Sequence, residues 1–263
     1  MNSDYSWILN SPSLMSIATE QSALSWFSDT LHTHEDMIQP PEITQHRLGL
    51  YYEDLVYQLI GSSRRLIDLK RNVKVFDGRI TKGEFDFIGN TDLGGFHLEC
   101  AIKFYLRTES GSELHHFIGP GKKDRLDLKW ERMNSHQLML SSDSLGIQAC
   151  EAQGVYPKLK LLLIQGYLFH PFGEGSPNVL HQAINPFHAQ GWWLKHHQLG
   201  RLKHDGFYVV MIKPRWLTPD TSTRMNLAQL TELVIGLNNP VLICRVDRQG
   251  GEIDRGFVVP DSW

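Results

Sequence analysis

The sequence predicts a mixed α/β fold, a central sheet flanked by helices, from three features. A helix-spaced apolar pattern covers residues 44–60, three strand-like runs follow within 66–107, and a second helical pattern over 124–141 leads into a continuous apolar run at 158–169. The order is therefore αβββαβ, preceded by N-terminal helices and followed by a C-terminal α/β extension. At 263 residues the chain fits one domain, with a helical segment 1–43, a core 44–170 and an extension 171–263.

Each element has its own signal. Ser22 to Leu31 is amphipathic, and Gln39-Pro40-Pro41-Glu42 breaks it. On the next helix, from Thr44, Leu48, Tyr51, Tyr52, Leu55 and Leu59 fall at spacings of three and four and make one buried face. Leu66 to Phe76 reads as a strand ending in the Asp77-Gly78 turn. Strands Gly83–Gly89 and Gly95–Arg107 form a hairpin around Asn90-Thr91-Asp92-Leu93-Gly94. Leu126, Trp130, Met133 and Leu138 carry the second helix, and Lys158 to Phe169 has the composition of a strand covered on both faces. In the last third, Phe207–Lys213 and Val241–Val246 read as strands and Met225–Gly236 as a helix, packing on or extending the same sheet.

Composition excludes several classes. With 41% hydrophobic and 21% charged residues the chain is neither disordered nor fibrous. No apolar run approaches the ~20 residues of a membrane span. The opening residues show no basic start followed by an apolar stretch, so a cytoplasmic location and no membrane partner are expected. Cys100, Cys150 and Cys244 form no CxxC pair, which argues against a disulfide framework and a structural zinc. The net charge of -3 hides an asymmetry: residues 1–60 hold eight acids against one base, and residues 61–82 seven bases against two acids. A second basic cluster, Lys122 to Arg132, is diluted by acids. Either cluster is a solvated face or a phosphate-backbone contact.

The most informative stretch is Phe96 to Arg107. Period two places Phe96, Leu98, Cys100, Ile102, Phe104 and Leu106 on one face and His97, Glu99, Ala101, Lys103, Tyr105 and Arg107 on the other. The second face meets either water or a site. In the preceding strand Phe85 and Phe87 share the apolar face, so Glu84 and Asp86 point the other way. Paired as a hairpin, the two strands gather Glu84, Asp86 and Glu99, with Lys103 nearby. Two carboxylates ~4 Å apart repel by ~4 kcal/mol at an effective dielectric near 20. Such a cluster therefore calls for a proton, a cation or a divalent metal, and oxygen donors suit magnesium or manganese. Phosphodiester hydrolysis is a coherent use, the ion acidifying water and a lysine orienting it. Glu53 interrupts a second apolar stripe of Leu50, Tyr57 and Ile60 on its helix, as a fourth site acid or as a rim residue paired with Arg47. Gln137 is a further candidate, against an ordinary exposed glutamine.

The helix with Glu53, the strand Gly83-Glu84-Phe85-Asp86-Phe87, the strand with Glu99 and Lys103, and the helix and strand after it resemble the PD-(D/E)XK, or restriction-endonuclease-like, nuclease superfamily over about residues 44–170. Ser6-Trp7 with Ser11-Pro12, Gly83–Phe87, Glu99–Leu106, Gly191-Trp192-Trp193 and Trp216-Leu217-Thr218-Pro219 resemble a bacterial family, domain of unknown function 1853, over nearly the whole chain. The superfamily resemblance implies a restriction-endonuclease-like sheet and a metal-dependent nuclease. Asp86 and Glu99 would bind magnesium or manganese, Glu53 would match the helix acid, and Lys103 the catalytic lysine. One position departs from the pattern: the acid expected two residues before the lysine is Ala101, and Glu99 lies two residues further back, its Cα ~13 Å from that of Lys103. Long side chains or a β-bulge would close that distance. The alternative is an inactive module that binds nucleic acid or a partner protein. The nuclease reading expects nucleic acid as partner, its backbone met by Arg64, Arg65, Lys70, Arg71, Lys122 and Lys123.

Other motifs carry less. His32-Thr33-His34-Glu35-Asp36 has metal-ligand types at close spacing but no third distant ligand. His115-His116 and His196-His197 read as loop or surface pairs, and Trp192-Trp193 as core more than as a base-stacking platform. No GxSxG elbow and no phosphate loop is present, so acyl transfer and nucleoside triphosphate hydrolysis lack support.

Overall fold

The computed structural model describes residues 3–31, 38, 46–203 and 205–263. Among these are helices α1 (Ser3–Asn10), α2 (Ala23–Trp26), α3 (Leu48–Gly61), α4 (Leu126–Glu131), α5 (Ser144–Ala152) and α6 (Leu227–Val234). The strands are β1 (Leu66–Asp77), β2 (Ile80–Thr91), β3 (Gly94–Arg107), β4 (Phe117–Ile118), β5 (Pro157–Pro171), β6 (Gln190–Lys195), β7 (Phe207–Met211), β8 (Val241–Val246) and β9 (Glu252–Val259). All nine join one mixed sheet in the order β1-β2-β3-β5-β6-β9-β8-β7, with β4 on the edge of β3. The first three strands are antiparallel, β3, β5, β6 and β9 run parallel, and β9, β8 and β7 return antiparallel. The C-terminal third thus extends the sheet.

Alternation along β3 divides the core as its sequence predicts. Phe96, Leu98, Cys100, Ile102, Phe104 and Leu106 pack against α1, α2 and α3. Ala101 and Tyr105 on the other face pack with Leu126 of α4 and with Met133 and Leu138 after it. The polar face of β3 is therefore covered rather than wetted. β5 is buried on both faces, Leu161 and Leu163 in the first cluster and Leu162, Ile164 and Leu168 in the second. α6 covers the C-terminal strands through Leu227, Leu230 and Val234.

Several local expectations are corrected. The Asn90–Gly94 loop belongs largely to the strands, since Thr91 pairs with Gly94 and only Asp92 and Leu93 turn. The single helix over 124–141 is α4 followed by a π-helical turn, Arg132–Gln137, and a 3-10 turn, Leu140–Ser142. Helix α5 has a cap the periodicity does not show: the Asp143 side chain accepts from the Leu145 N–H. His196 is buried rather than at the surface. Trp192 and Trp193 are part-buried against the core, their indoles donating to Asp254 and to the Arg107 carbonyl. The His32–Asp36 motif and the Gln39–Glu42 break lie outside the described residues. No helix among the described residues is long and apolar enough to cross a membrane.

Candidate functional site

The site forms where β2 and β3 part. Their pairing runs from Thr91–Gly94 to Phe87–Leu98 and stops, and β4 takes up the same edge of β3 only at Leu106. Among the described residues no strand lies beside the edge of β3 from Glu99 to Tyr105 on that side. A slip in alternation accompanies the parting. Phe87 stacks with Tyr57 of α3, whereas Phe85 meets the His97 ring edge-on at 4.8 Å and packs with Ile88 and Cys150 on the opposite face. The expectation that Phe85 and Phe87 share a face is corrected. Opposite the slip, Asn72 of β1 takes φ 56°, a left-handed conformation that asparagine tolerates better than most residues. Asp86 sits at the slip and turns into the gap.

The acids there replace ladder bonds. The Cys100 N–H donates to Asp86 Oδ2 at 2.9 Å, and the Asp86 N–H donates to Glu99 Oε1 at 3.4 Å. Glu99 is fully buried and also accepts from His97 Nε2 and from Gln137 Nε2, each at 2.7 Å. His97 Nδ1 meets Ser141 Oγ at 3.0 Å. Burial lowers the His97 pKa to about 3, so the ring is neutral and carries its proton on Nε2 toward Glu99. Ser141, His97 and Glu99 have the order of a hydrolytic triad, but the serine is buried and the imidazole fully enclosed. Their arrangement fixes Glu99.

Three carboxylates are held away from their ordinary ionisation. Burial, then Glu99, pushes Asp86 up; burial pushes Glu99 up against the N–H donors that pull it down. Glu53, from α3, is pushed up to about 7, first by burial and then by Asp86, with Arg71 opposing. Its neighbours on the expected second stripe, Leu50 and Tyr57, are exposed, so what half-buries Glu53 is its position over the gap. Glu84 also raises Glu53. It precedes the slip, on the face opposite Phe85, and so joins Glu53 rather than Glu99, a correction to the expected trio on one side.

The cation that acts on the acid pair comes from α4. Lys129 pulls both Asp86 and Glu99 downward, and its Nζ donates to Gln137 Oε1 at 3.0 Å, the same amide that donates to Glu99. Burial, then Lys103, lowers the Lys129 pKa, so the two ammonium groups are neighbours. Lys103 itself is paired with Asp124 at 2.5 Å. Sequence reasoning placed Lys129 only in a basic cluster; its partner at Gln137, eight residues on, becomes visible through the π-helical turn between them.

A family model described as a domain of unknown function, DUF1853, matches residues 3–259. The chain belongs to the DUF1853 family. No curated protein and no solved structure matches it.

The basic residues expected to meet nucleic acid do not converge in this DUF1853 chain. Arg64 is exposed just before β1, and Arg65 pairs with Asp92 in the β2–β3 turn at 3.6 Å. That end of the sheet lies ~20 Å along the strand from Asp86. Arg71 is closer to the acids, bonded to Asp54 at 2.6 Å and set over the Tyr57 ring, while Lys70, next to it in β1, pairs with Ile88. Lys122 covers the Trp263 ring. Lys123 lines a cavity of about 390 Å³ together with Lys103, Asp124 and the first turn of α3.

Among the described residues of this DUF1853 protein, no group of three or more His, Cys, Asp or Glu side chains is poised to hold an ion. Magnesium does not require such a cage, since it is commonly held by one or two carboxylates and keeps several waters. The donor set fits that pattern: Asp86 and Glu53 are both part-buried, and the Asp86 charge is close enough to push Glu53 up.

Proposed function

We propose that this protein is a metal-dependent phosphodiesterase acting on nucleic acid, on a restriction-endonuclease-like core formed by α3, β1, β2, β3, the helices after it and β5. One observation carries the reading. Asp86, Glu99 and Glu53 gather where the sheet opens, and burial raises all three, with the Glu99 charge adding to the rise at Asp86 and the Asp86 charge to that at Glu53. Carboxylates so placed gain most from a divalent cation, because a positive charge relieves what water cannot.

Asp86 and Glu53 would hold magnesium or manganese, with Glu99 fixed behind them. A divalent ion there supplies Lewis acidity toward a phosphoryl oxygen and neutralises its charge. The remaining work belongs to the chain. His97 and Gln137 keep Glu99 in one orientation, Lys129 offsets the negative charge of the acid pair, and Lys103 faces the cavity where substrate phosphate would lie.

A second reading, a module that binds nucleic acid without cleaving it, is favoured by Ala101 and by Glu99, whose two oxygens are already engaged by His97 and Gln137. Cleavage of mixed single- and double-stranded substrates with magnesium or manganese separates the two. Turnover by the wild type that Asp86→Ala abolishes supports the enzyme. Retention of nucleic acid without turnover in either metal supports the module, and activity equal in wild type and Asp86→Ala assigns the cleavage to a contaminant.

A further inference from the structure

The cavity beside Lys103 has a charge that the acid site does not explain. His46 and Arg47 come from the approach to α3, Lys123 from the loop after β4, Lys213 from the loop after β7, and Lys103 from β3; among the described residues Asp124 is the single acid in the lining. Lys103 and Asp124 neutralise each other. Among the described residues no acid forms an ion pair with Arg47, Lys123 or Lys213, so three positive charges from three separate segments line one space of about 390 Å³, the Lys213 ammonium lying over the Trp216 ring at 4.4 Å from its centroid. Trp216 and Phe104 form its apolar wall.

The lining is also held in place. The Trp263 indole donates to the Pro120 carbonyl at 2.8 Å, anchoring the loop that carries Lys123. Buried Arg255 donates to the carbonyls of Trp216 and Leu217, anchoring the segment that carries Lys213. A pre-set group of cations at this volume suits a compact anion, since small-ligand clefts begin at roughly 300 Å³.

We propose that this cavity binds the terminal phosphomonoester of a nucleic-acid strand, making cleavage at the acids end-directed. The proposal rests on the phosphodiesterase reading for its second half only. A monoester carries about -1.5 to -2 near neutral pH and presents three acceptor oxygens, whereas an internal diester carries one charge. Three cations with no carboxylate partner among the described residues match the former. The acids are near: Glu53 is one helical turn, ~6 Å, from Gly49 in the cavity lining, and Glu99 ~13 Å along β3 from Lys103. A strand anchored by its end would therefore pass its first few linkages over the gap.

The test measures binding of the full chain to short single strands bearing a 5′-phosphate, a 3′-phosphate or hydroxyls at both ends, with calcium in place of magnesium. One phosphorylated strand is expected to bind about tenfold more tightly than the hydroxyl strand, as two or so charge-assisted hydrogen bonds would give. Inorganic phosphate should compete, and Arg47→Met with Lys213→Met should abolish the preference while leaving the hydroxyl strand's affinity within about twofold, since a strand that lacks the terminal monoester does not fill the cavity these two cations line. Both side chains are exposed, and a melting curve confirms that the variant folds. Equal affinity for all three strands overturns the proposal, as does an equal loss on all three in the variant. End preference without cleavage in magnesium or manganese keeps the cavity and removes the phosphodiesterase; cleavage without end preference does the reverse.

Discussion

Asp86 accepts from the backbone of β3 at Cys100, and its own N–H donates to Glu99 Oε1, so each acid occupies a hydrogen-bond position that the partner strand has vacated. The two strands part after Phe87 and Leu98, and the two carboxylates take the first hydrogen-bond positions beyond that pair. Both are then fixed by main chain, which costs little side-chain freedom on binding an ion or a phosphate.

Replacing Asp86 by Asn keeps an oxygen for the Cys100 N–H and removes the charge. Asp86→Asn is expected to raise the melting temperature without added metal and to lose the stabilisation that magnesium or manganese gives the wild type. Cleavage should fall by about 10²-fold or more, the scale of losing a main electrostatic element. Thermal melts with and without metal check this; a wild type whose melting temperature does not respond to either ion contradicts it.

Glu53 makes stability depend on pH with a definite sign. Its folded pKa of about 7 lies above the unfolded value of about 4.3, so its contribution is full below about pH 4 and lost as pH rises through about 7. His97, lowered to about 3, has the opposite slope: its contribution is present above about pH 6.5 and lost as pH falls toward 3. Glu53→Gln removes only the first effect. Its stability advantage over the wild type should grow from pH 5 to pH 8 by about 1–2 kcal/mol, allowing for partial exposure. Urea unfolding at both pH values measures it, and a difference flat with pH refutes it.

Lys129 should matter more to the acids than Lys103. Lys129→Met removes the positive charge that holds Asp86 and Glu99 down, so the acidic limb of a pH–rate profile should move to higher pH. Lys103→Met, which frees Asp124, should leave that limb in place and weaken substrate binding instead. A shift with Lys103→Met alone would restore the assignment made from spacing.

His97 and Ser141 support Glu99 from behind. His97→Ala leaves a buried carboxyl short of a donor and should cost about 1–3 kcal/mol, and Ser141→Ala about 1 kcal/mol, by denaturant unfolding. Equal and negligible losses would mean that the pair does not hold Glu99.

Gly166 pairs with Lys103 across the parallel ladder at φ 133°, and a Cβ there would collide with the Lys103 carbonyl oxygen. Gly166→Ala is expected to destabilise the chain by about 3 kcal/mol or more, because strain and a backbone clash combine. A variant that melts with the wild type would show that β5 moves away freely.

Local periodicity was enough for much of this molecule. The alternating residues of β3 specified which face meets α3, the three- and four-residue spacing of Leu48 to Leu59 specified the helix that carries Glu53, and the apolar run of β5 specified its burial on both sides. Residue chemistry alone singled out Asp86, Glu99 and Glu53. What the sequence did not determine is which of these groups meet. A slip in alternation at Asp86, opposite left-handed Asn72, puts Phe85 on the face of His97 and Ile88 and sends Glu84 to Glu53 instead of Glu99. The cation over the acids arrives on α4, from outside the strand pair, and the π-helical turn after it brings Gln137 between Lys129 and Glu99. Period-two and period-3.6 patterns report which side of one element is apolar; slips in pairing and the meeting of elements remote in sequence are fixed only when the whole core packs.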